Sequence, residues 1–151
     1  MPQSVPELTD HLGYWLRQVS NHVSHGFARK LASKDVTVAE WGVMRVLYGR
    51  EPAPPSHVAE EMGLTRGAIT KLADRLIAKD LMIRESDPED GRAQTLRLTT
   101  KGARFVPELA ALADANEAEC FAHLSSDERR ALFRVLKMTA ARLGLTAAPI
   151  D

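Results

Sequence analysis

A mainly α-helical chain with one small β-hairpin is the fold class the sequence predicts, and three observations predict it. Apolar residues recur at three- and four-residue intervals along most of the chain, the period of a helix with one buried face. Strand-like alternation is confined to Met82–Ser86 and Gln94–Thr99, separated by the turn-forming run Asp87-Pro88-Glu89-Asp90-Gly91. Two four-residue capping boxes, Thr37-Val38-Ala39-Glu40 and Ser125-Ser126-Asp127-Glu128, mark helix starts on either side of that hairpin.

Taken in order, Leu8, Leu12, Leu16, Val19, Val23, Phe27 and Leu31 predict one long amphipathic helix whose narrow apolar stripe must lie against something. The Thr37 box opens a second helix to about Tyr48, with Trp41, Met44 and Leu47 on one face, ended by Gly49 and the Pro52-Pro54-Pro55 cluster. Ser56 is the expected cap of a short helix through Met62, with Val58 and Met62 inward. Gly63 makes a turn, and Thr65 caps a fourth helix to about Lys79, with Ile69, Leu72, Ala73 and Leu76 at i, i+3, i+4 and i+7. After the hairpin, Phe105, Leu109 and Leu112 carry a helix from Lys101 to about His123. Leu132, Val135 or Leu136, Thr139 and Leu143 carry a last one, stopped by Gly144. The predicted order is α-α-α-α-β-β-α-α.

Composition sets bounds on function. The 151 residues suit one domain with helical arms. Lys plus Arg equals Asp plus Glu, 20 against 20, so overall charge points to no anionic partner. Locally, Thr65 to Arg84 holds five basic residues (Arg66, Lys71, Arg75, Lys79, Arg84) against Asp74 and Asp80. Cys120 is the only cysteine, which excludes an intrachain disulfide and fits a reducing, cytoplasmic compartment. The start, MPQSVPELTD, has no basic region followed by an apolar core, and no apolar run approaches the roughly 18 residues that span a bilayer. A Gly-rich phosphate loop, a metal motif and a paired acid–base constellation are missing from the sequence, so neither enzyme chemistry nor a cofactor or metal is expected.

The chemistry concentrates between Pro55 and Gly102, where a short helix, a glycine turn, a polar-faced helix and a charged hairpin follow one another. That order is a winged helix-turn-helix, which places its second helix in the major groove of DNA. At 100° per residue, the side of the fourth helix opposite Ile69, Leu72 and Leu76 holds Gly67, Lys71, Asp74 and Ala78. Thr70 and Arg75 flank it and Arg66 lies in the exposed first turn. Arg takes guanine bidentately, and helix N-terminal amides, with Ser56, suit phosphates. Asp74 on the same face repels phosphate unless Lys71 or Arg75 compensates. On charge alone this surface reads first as a solvated helix face. At the hairpin tip, Arg92 has the character of a minor-groove arginine, and Asp90 two residues away can direct it through a charge-assisted bond.

With these residues in place the chain resembles the MarR family of bacterial transcription regulators. LTRGAITKLADRLIAKDLMIR is similar to that family's recognition helix, and DPEDGRAQTLRLTTKG to its wing, with the D-x-R tip and closing L-T-x-K-G. The likeness extends to LTDHLGYWLRQVSNHV and VTVAEWGVMRVL and is strongest over about Val36 to Gly102; the C-terminal helices match in pattern only. The resemblance implies a homodimer in which the first and last two helices interlock: residues 1–35 and 101–151 for dimerisation, 36–100 for DNA. It implies a repressor of a palindromic operator with half-sites about 34–36 Å apart. Thr65, Arg66, Thr70 and Lys71 would read the major groove, and Arg92, held by Asp90, the minor groove. Gly67 stands where many relatives carry a small polar residue.

The resemblance further implies release from DNA by a small aromatic or phenolic acid at the junction of the dimer and DNA-binding regions. His11, Tyr14, Trp15, Arg17 and Gln18, with Trp41 and Arg45, are the candidate lining: aromatic walls and a cation. Taken singly, Tyr14, Trp15 and Trp41 read first as core or interface packing. Two other regulators are open: a redox sensor on Cys120, although the family's peroxide sensors carry their cysteine on the first helix, and a metal sensor on Cys120 and His123 at i, i+3. The rival of a different class is a winged-helix module for protein contact without DNA, which has no need of an arginine at the position of Arg92.

Overall fold

A computed structural model describes residues 3–145, and residues 146–151 of the C-terminal segment lie outside the described residues. Six helices and one hairpin follow in the expected order: α1 (Leu12–Ala32), α2 (Val38–Leu47), α3 (Pro55–Met62), α4 (Arg66–Ala78), β1 (Met82–Ser86), β2 (Gln94–Leu98), α5 (Thr100–Phe121) and α6 (Ser126–Arg142). The hairpin is antiparallel, from Met82 opposite Leu98 to Ser86 opposite Gln94. Ala53 exchanges both backbone hydrogen bonds with Leu96 at 3.0 and 2.8 Å, so the α2–α3 connection lines the hairpin as a third, one-residue strand.

The apolar stripes converge on one core. Val43, Met44 and Leu47 of α2, Val58, Ala59 and Met62 of α3, and Ile69, Leu72, Ala73 and Leu76 of α4 are buried together with Leu81, Met82 and Leu96. Val106 and Leu109 of α5 and Leu31 of α1 close it. Burying a Leu or Ile stabilises by about 2 kcal/mol relative to exposure, so these positions fix the three-helix unit on the hairpin. Trp41 is half-buried at the core edge, edge-on to Phe27 with ring centroids 6.2 Å apart. Both capping boxes form: the Thr37 hydroxyl accepts from the Glu40 amide at 3.1 Å, and Ser125 from that of Glu128 at 3.1 Å.

Two local expectations are corrected. The first helix does not run through Leu8: a single 3₁₀ turn, Leu8–Asp10, precedes α1, and His11 between them is extended. Asp10 carries the break, because its carboxylate accepts from the Glu7 amide at 2.9 Å and closes that turn on itself. Ser56 does not cap α3 either. Pro54 is the N-cap and Pro55 the first helical residue, where a missing N–H costs nothing; half-buried Ser56 stands one position further in.

Outside this unit the burial changes character. Leu12, Trp15, Leu16 and Val19 of α1 are exposed, and α6 has no buried residue although Leu132, Phe133, Val135, Leu136 and Met138 lie along it. α1 and α5 are nonetheless joined: buried Asn116 donates to the Val23 carbonyl at 2.9 Å, and a Cβ on Gly26 would come within 2.6 Å of the Asn116 Oδ1. Among the described residues no helix is long and apolar enough to cross a membrane.

Candidate nucleic-acid interface

Gly63, at φ 66°, makes the left-handed turn that ends α3 and aims the chain into α4. Thr65 caps α4 by accepting from the Ala68 amide at 3.1 Å, which leaves the amides of the first turn facing outward. Thr65, Arg66, Gly67, Thr70, Lys71 and Arg75 are all exposed, while Ile69, Leu72, Ala73 and Leu76 on the other side are buried, as the period requires. The Thr70 hydroxyl donates to the Arg66 carbonyl at 3.0 Å and retains its lone pairs for an outside donor.

Asp74 is neutralised from a direction the sequence did not suggest. Arg84, on β1, donates to its carboxylate at 2.8 Å, so neither Lys71 nor Arg75 is needed for that purpose. Among the described residues Lys71 has no carboxylate partner. Arg75 instead leans toward α2, with its guanidinium 3.8 Å from Glu40. It therefore stands on the flank of the helix, half engaged with the protein.

The tip of the hairpin is closed by backbone. The Asp87 amide donates to the Ala93 carbonyl at 2.9 Å and the Ala93 amide to the Asp90 carbonyl at 3.0 Å. Asp90 does fix Arg92, though not by a charge-assisted bond to its guanidinium: its Oδ1 accepts from the Arg92 backbone amide at 3.1 Å. A carboxylate two residues before an amide closes a short local ring more readily than it reaches a long side chain, and the Arg92 side chain stays exposed. Along the strands, Arg97 donates to Glu85 at 2.8 and 3.1 Å across a diagonal pair. Those hydrogen bonds and the Arg97 charge hold the Glu85 carboxyl below its ordinary pKa.

Sequence reasoning missed the parts that hold the interface in place. Glu40, only 2% exposed, receives Lys79 from the end of α4 at 2.8 Å and the Thr37 amide at 3.2 Å. Burial pushes its pKa up, but the hydrogen bonds from Lys79 and Thr37 and the Lys79 charge outweigh that and leave it lowered. The capping box that explained Glu40 concealed this second role.

The closing Leu98-Thr99-Thr100-Lys101-Gly102 run is likewise structural. Thr99 caps α5 by accepting from the Gly102 amide at 2.9 Å and donates its hydroxyl to the Asp80 carbonyl at 2.7 Å. Lys101 donates to the Lys79 carbonyl at 3.2 Å. A Cβ on Gly102 would overlap the Leu81 carbonyl, so only glycine lets α5 start against the α4–β1 connection.

The seven candidate effector residues are placed as follows. Tyr14 and Trp15 stack edge-on at 5.2 Å, and Trp15 donates its indole N–H to the Thr9 carbonyl at 2.9 Å. His11, Arg17, Gln18 and Arg45 are exposed, and Arg45 lies 5.8 Å over the Tyr48 ring. Trp41 packs on Phe27 and thus belongs to the core edge. A cleft of about 790 Å³ is lined by none of the seven. Cys120 is half-buried, and among the described residues no group of three or more His, Cys, Asp or Glu side chains could hold a metal ion.

A capped, cation-bearing helix held by a glycine turn beside a tight hairpin defines a winged helix-turn-helix. The sequence model of the MarR family matches residues 34–93, which covers α2 to the hairpin tip. YkoM of Bacillus subtilis, an HTH-type transcriptional regulator, is 31% identical over 98 residues, 65% of this chain; the match spans 64% of YkoM's own length. A transcriptional regulatory protein for the hcr operon of Thauera aromatica is 27% identical over 131 residues, 86% of this chain and 79% of that one. A mutant of Escherichia coli MarR complexed with operator DNA superposes with a TM-score of 0.74 at 26% identity, covering 85% of this chain and 92% of that one. From α2 to the hairpin tip the chain is thus similar to the MarR family, and the solved E. coli MarR mutant shares its fold.

Proposed function

We propose that this chain is a homodimeric, DNA-binding repressor of transcription that grips a palindromic operator and is released by a small aromatic or phenolic acid. The observation that carries the DNA-binding part is the outer face of α4: Thr65, Arg66, Thr70 and Lys71 are exposed, and the one carboxylate among them is already paired with Arg84. The operator complex of the similar E. coli MarR mutant supports the same assignment. In this reading Thr65, Arg66, Gly67, Thr70 and Lys71 face the major groove. Arg92, set by Asp90, enters the minor groove, and Ser56 and Arg75 meet backbone phosphates at the margins.

Residues 36–100 form the DNA-binding unit, and residues 1–35 and 101–151 serve the dimer. The exposed Leu12, Leu16 and Val19 of α1 and the exposed Leu132, Phe133, Val135, Leu136 and Met138 of α6 support that division, since apolar side chains clustered along two helices call for a partner. Release by an aromatic acid is supported more narrowly, by half-buried Tyr14 edge-on to exposed Trp15 and by exposed Arg45 on α2. A lone half-buried cysteine and the family's role agree with a cytoplasmic protein.

The test is an operator titration at fixed salt. Arg92→Ala is expected to weaken operator binding about tenfold, one groove contact being worth about 1–3 kcal/mol, with the sedimentation of the free protein unchanged. Equal affinity of the variant and the parent would remove the wing from the interface.

A further inference from the structure

Glycine in a helix is less favourable than alanine wherever a methyl group fits, so a helical glycine with open space around it needs a reason outside the chain. Two buried glycines have their reason inside it: a Cβ on Gly26 would meet the Asn116 Oδ1, and one on Gly102 would overlap the Leu81 carbonyl. Gly67 has no such reason. It is the exposed second residue of α4, its φ is not in the left-handed region, and beyond the helix's own backbone a Cβ there would meet nothing nearer than the Thr65 hydroxyl oxygen, at 4.0 Å.

Its direction is as telling as its freedom. At 100° per residue, Gly67 points about 170° away from the mean direction of buried Ile69, Leu72, Ala73 and Leu76, further round than Lys71 or Asp74 at about 150°. It lies on the outermost line of α4 and in its first turn, the end of a recognition helix that stands nearest the base edges. The major groove is about 12 Å wide and a helix with its side chains about 10–12 Å across, so the outermost side chain sets how deeply the helix enters. Outward from the axis Gly67 presents only Cα hydrogens, neither donor nor acceptor. Among base-edge groups in that groove, the thymine C5-methyl is the apolar one that makes no hydrogen bond either. Exposed Thr65, Arg66, Thr70 and Lys71 surround the position with polar groups, which leaves a methyl-sized recess among them.

We propose that Gly67 is a specificity-determining position of α4, whose missing side chain admits the C5-methyl group of one thymine in each operator half-site. The inference rests on the assignment of α4 to the major groove and deepens it, by naming the base that one position reads. Alanine at this position would put a methyl group of the protein where the thymine methyl lies. The recess has room for one of the two.

The test is a methyl exchange between protein and DNA. A preferred duplex is selected from a random-sequence pool by the full-length parent chain, and each thymine is replaced in turn, in both half-sites, by uracil, which lacks only the C5-methyl group. Gly67→Ala is expected to bind the thymine duplex about tenfold more weakly than the parent, with its affinity for a scrambled duplex unchanged. The thermal midpoint of the free variant should be no lower than the parent's, since the methyl group meets nothing within the chain. At one thymine the preferences should cross: uracil weakens the parent by about fourfold per half-site, the loss of one buried methyl group, and strengthens Gly67→Ala. The proposal is overturned by equal affinity of variant and parent for the selected duplex, by the same loss on the scrambled duplex, by a lowered thermal midpoint, or by uracil replacements that shift both proteins alike at every position. Each of those results leaves α4 in the groove and removes only the thymine contact. A pool from which no duplex is enriched would remove sequence-specific DNA binding itself, and the role of Gly67 with it.

Discussion

Glu40 is a buried carboxylate at the start of α2, and Lys79 is what makes that tolerable. Removing one partner of a buried pair leaves an uncompensated charge, which costs about 3–5 kcal/mol when both are fully buried. The Lys79 side chain is 29% exposed and Arg75 stands nearby, so Lys79→Met is expected to destabilise by about 2 kcal/mol in urea unfolding. The pH dependence follows from the lowered pKa. Glu40 ordinarily titrates at 4.5 and does so below that in the folded protein, so its contribution is complete above the unfolded value and is lost as pH falls through the folded one. The stability difference between the parent and Glu40→Gln should therefore be constant at neutral pH and shrink below about pH 4.5. A difference that does not vary between about pH 3 and 7 would contradict the ionised pair.

At the scale of elements, α4 and its neighbours make two predictions. Lys71→Ala is expected to lower operator affinity and reduce the slope of log K against log salt by about 0.9 if the ammonium meets a phosphate. A preserved slope with relaxed discrimination among operators would place it on a base instead. Gly102→Ala forces a methyl group into the Leu81 carbonyl and should cost about 1–3 kcal/mol, readable as a lower thermal midpoint. Most elements were legible because periodicity and caps are local signals: Thr37, Thr65 and Ser125 all cap where expected. The failures share a cause. The Asp10 break, the first helical position taken by Pro55, and the Asp90 bond to a backbone amide were decided by competing short-range interactions that a residue pattern does not rank. The Asp74–Arg84 and Glu40–Lys79 pairs join residues 10 and 39 positions apart, and nothing local announces them.

At the scale of the whole molecule, the chain divides into a finished half and an unfinished one. Among the described residues every aliphatic core position lies between Leu31 and Leu109, whereas α6 buries nothing within its own chain. If α6 pairs with the α1 and α6 of a second copy, the intact protein should sediment as a dimer. Ending the chain after Leu124 should then leave the α1 stripe uncovered and give aggregated or unfolded protein. A soluble, folded monomer from that truncation would contradict the interlocked arrangement.

The contact between Gly102 and Leu81 has a mechanical side. α5 has 22 residues, about 33 Å at 1.5 Å per residue, and it begins against the Leu81 carbonyl, three residues past the end of α4, with no side chain between them to absorb movement. It acts as a lever on a hinge without play: a tilt of about 3° corresponds to about 1.7 Å at the far end of a rod that long. Small rotations of the helical frame would therefore reach the recognition helix as displacement rather than be lost in a compliant linker.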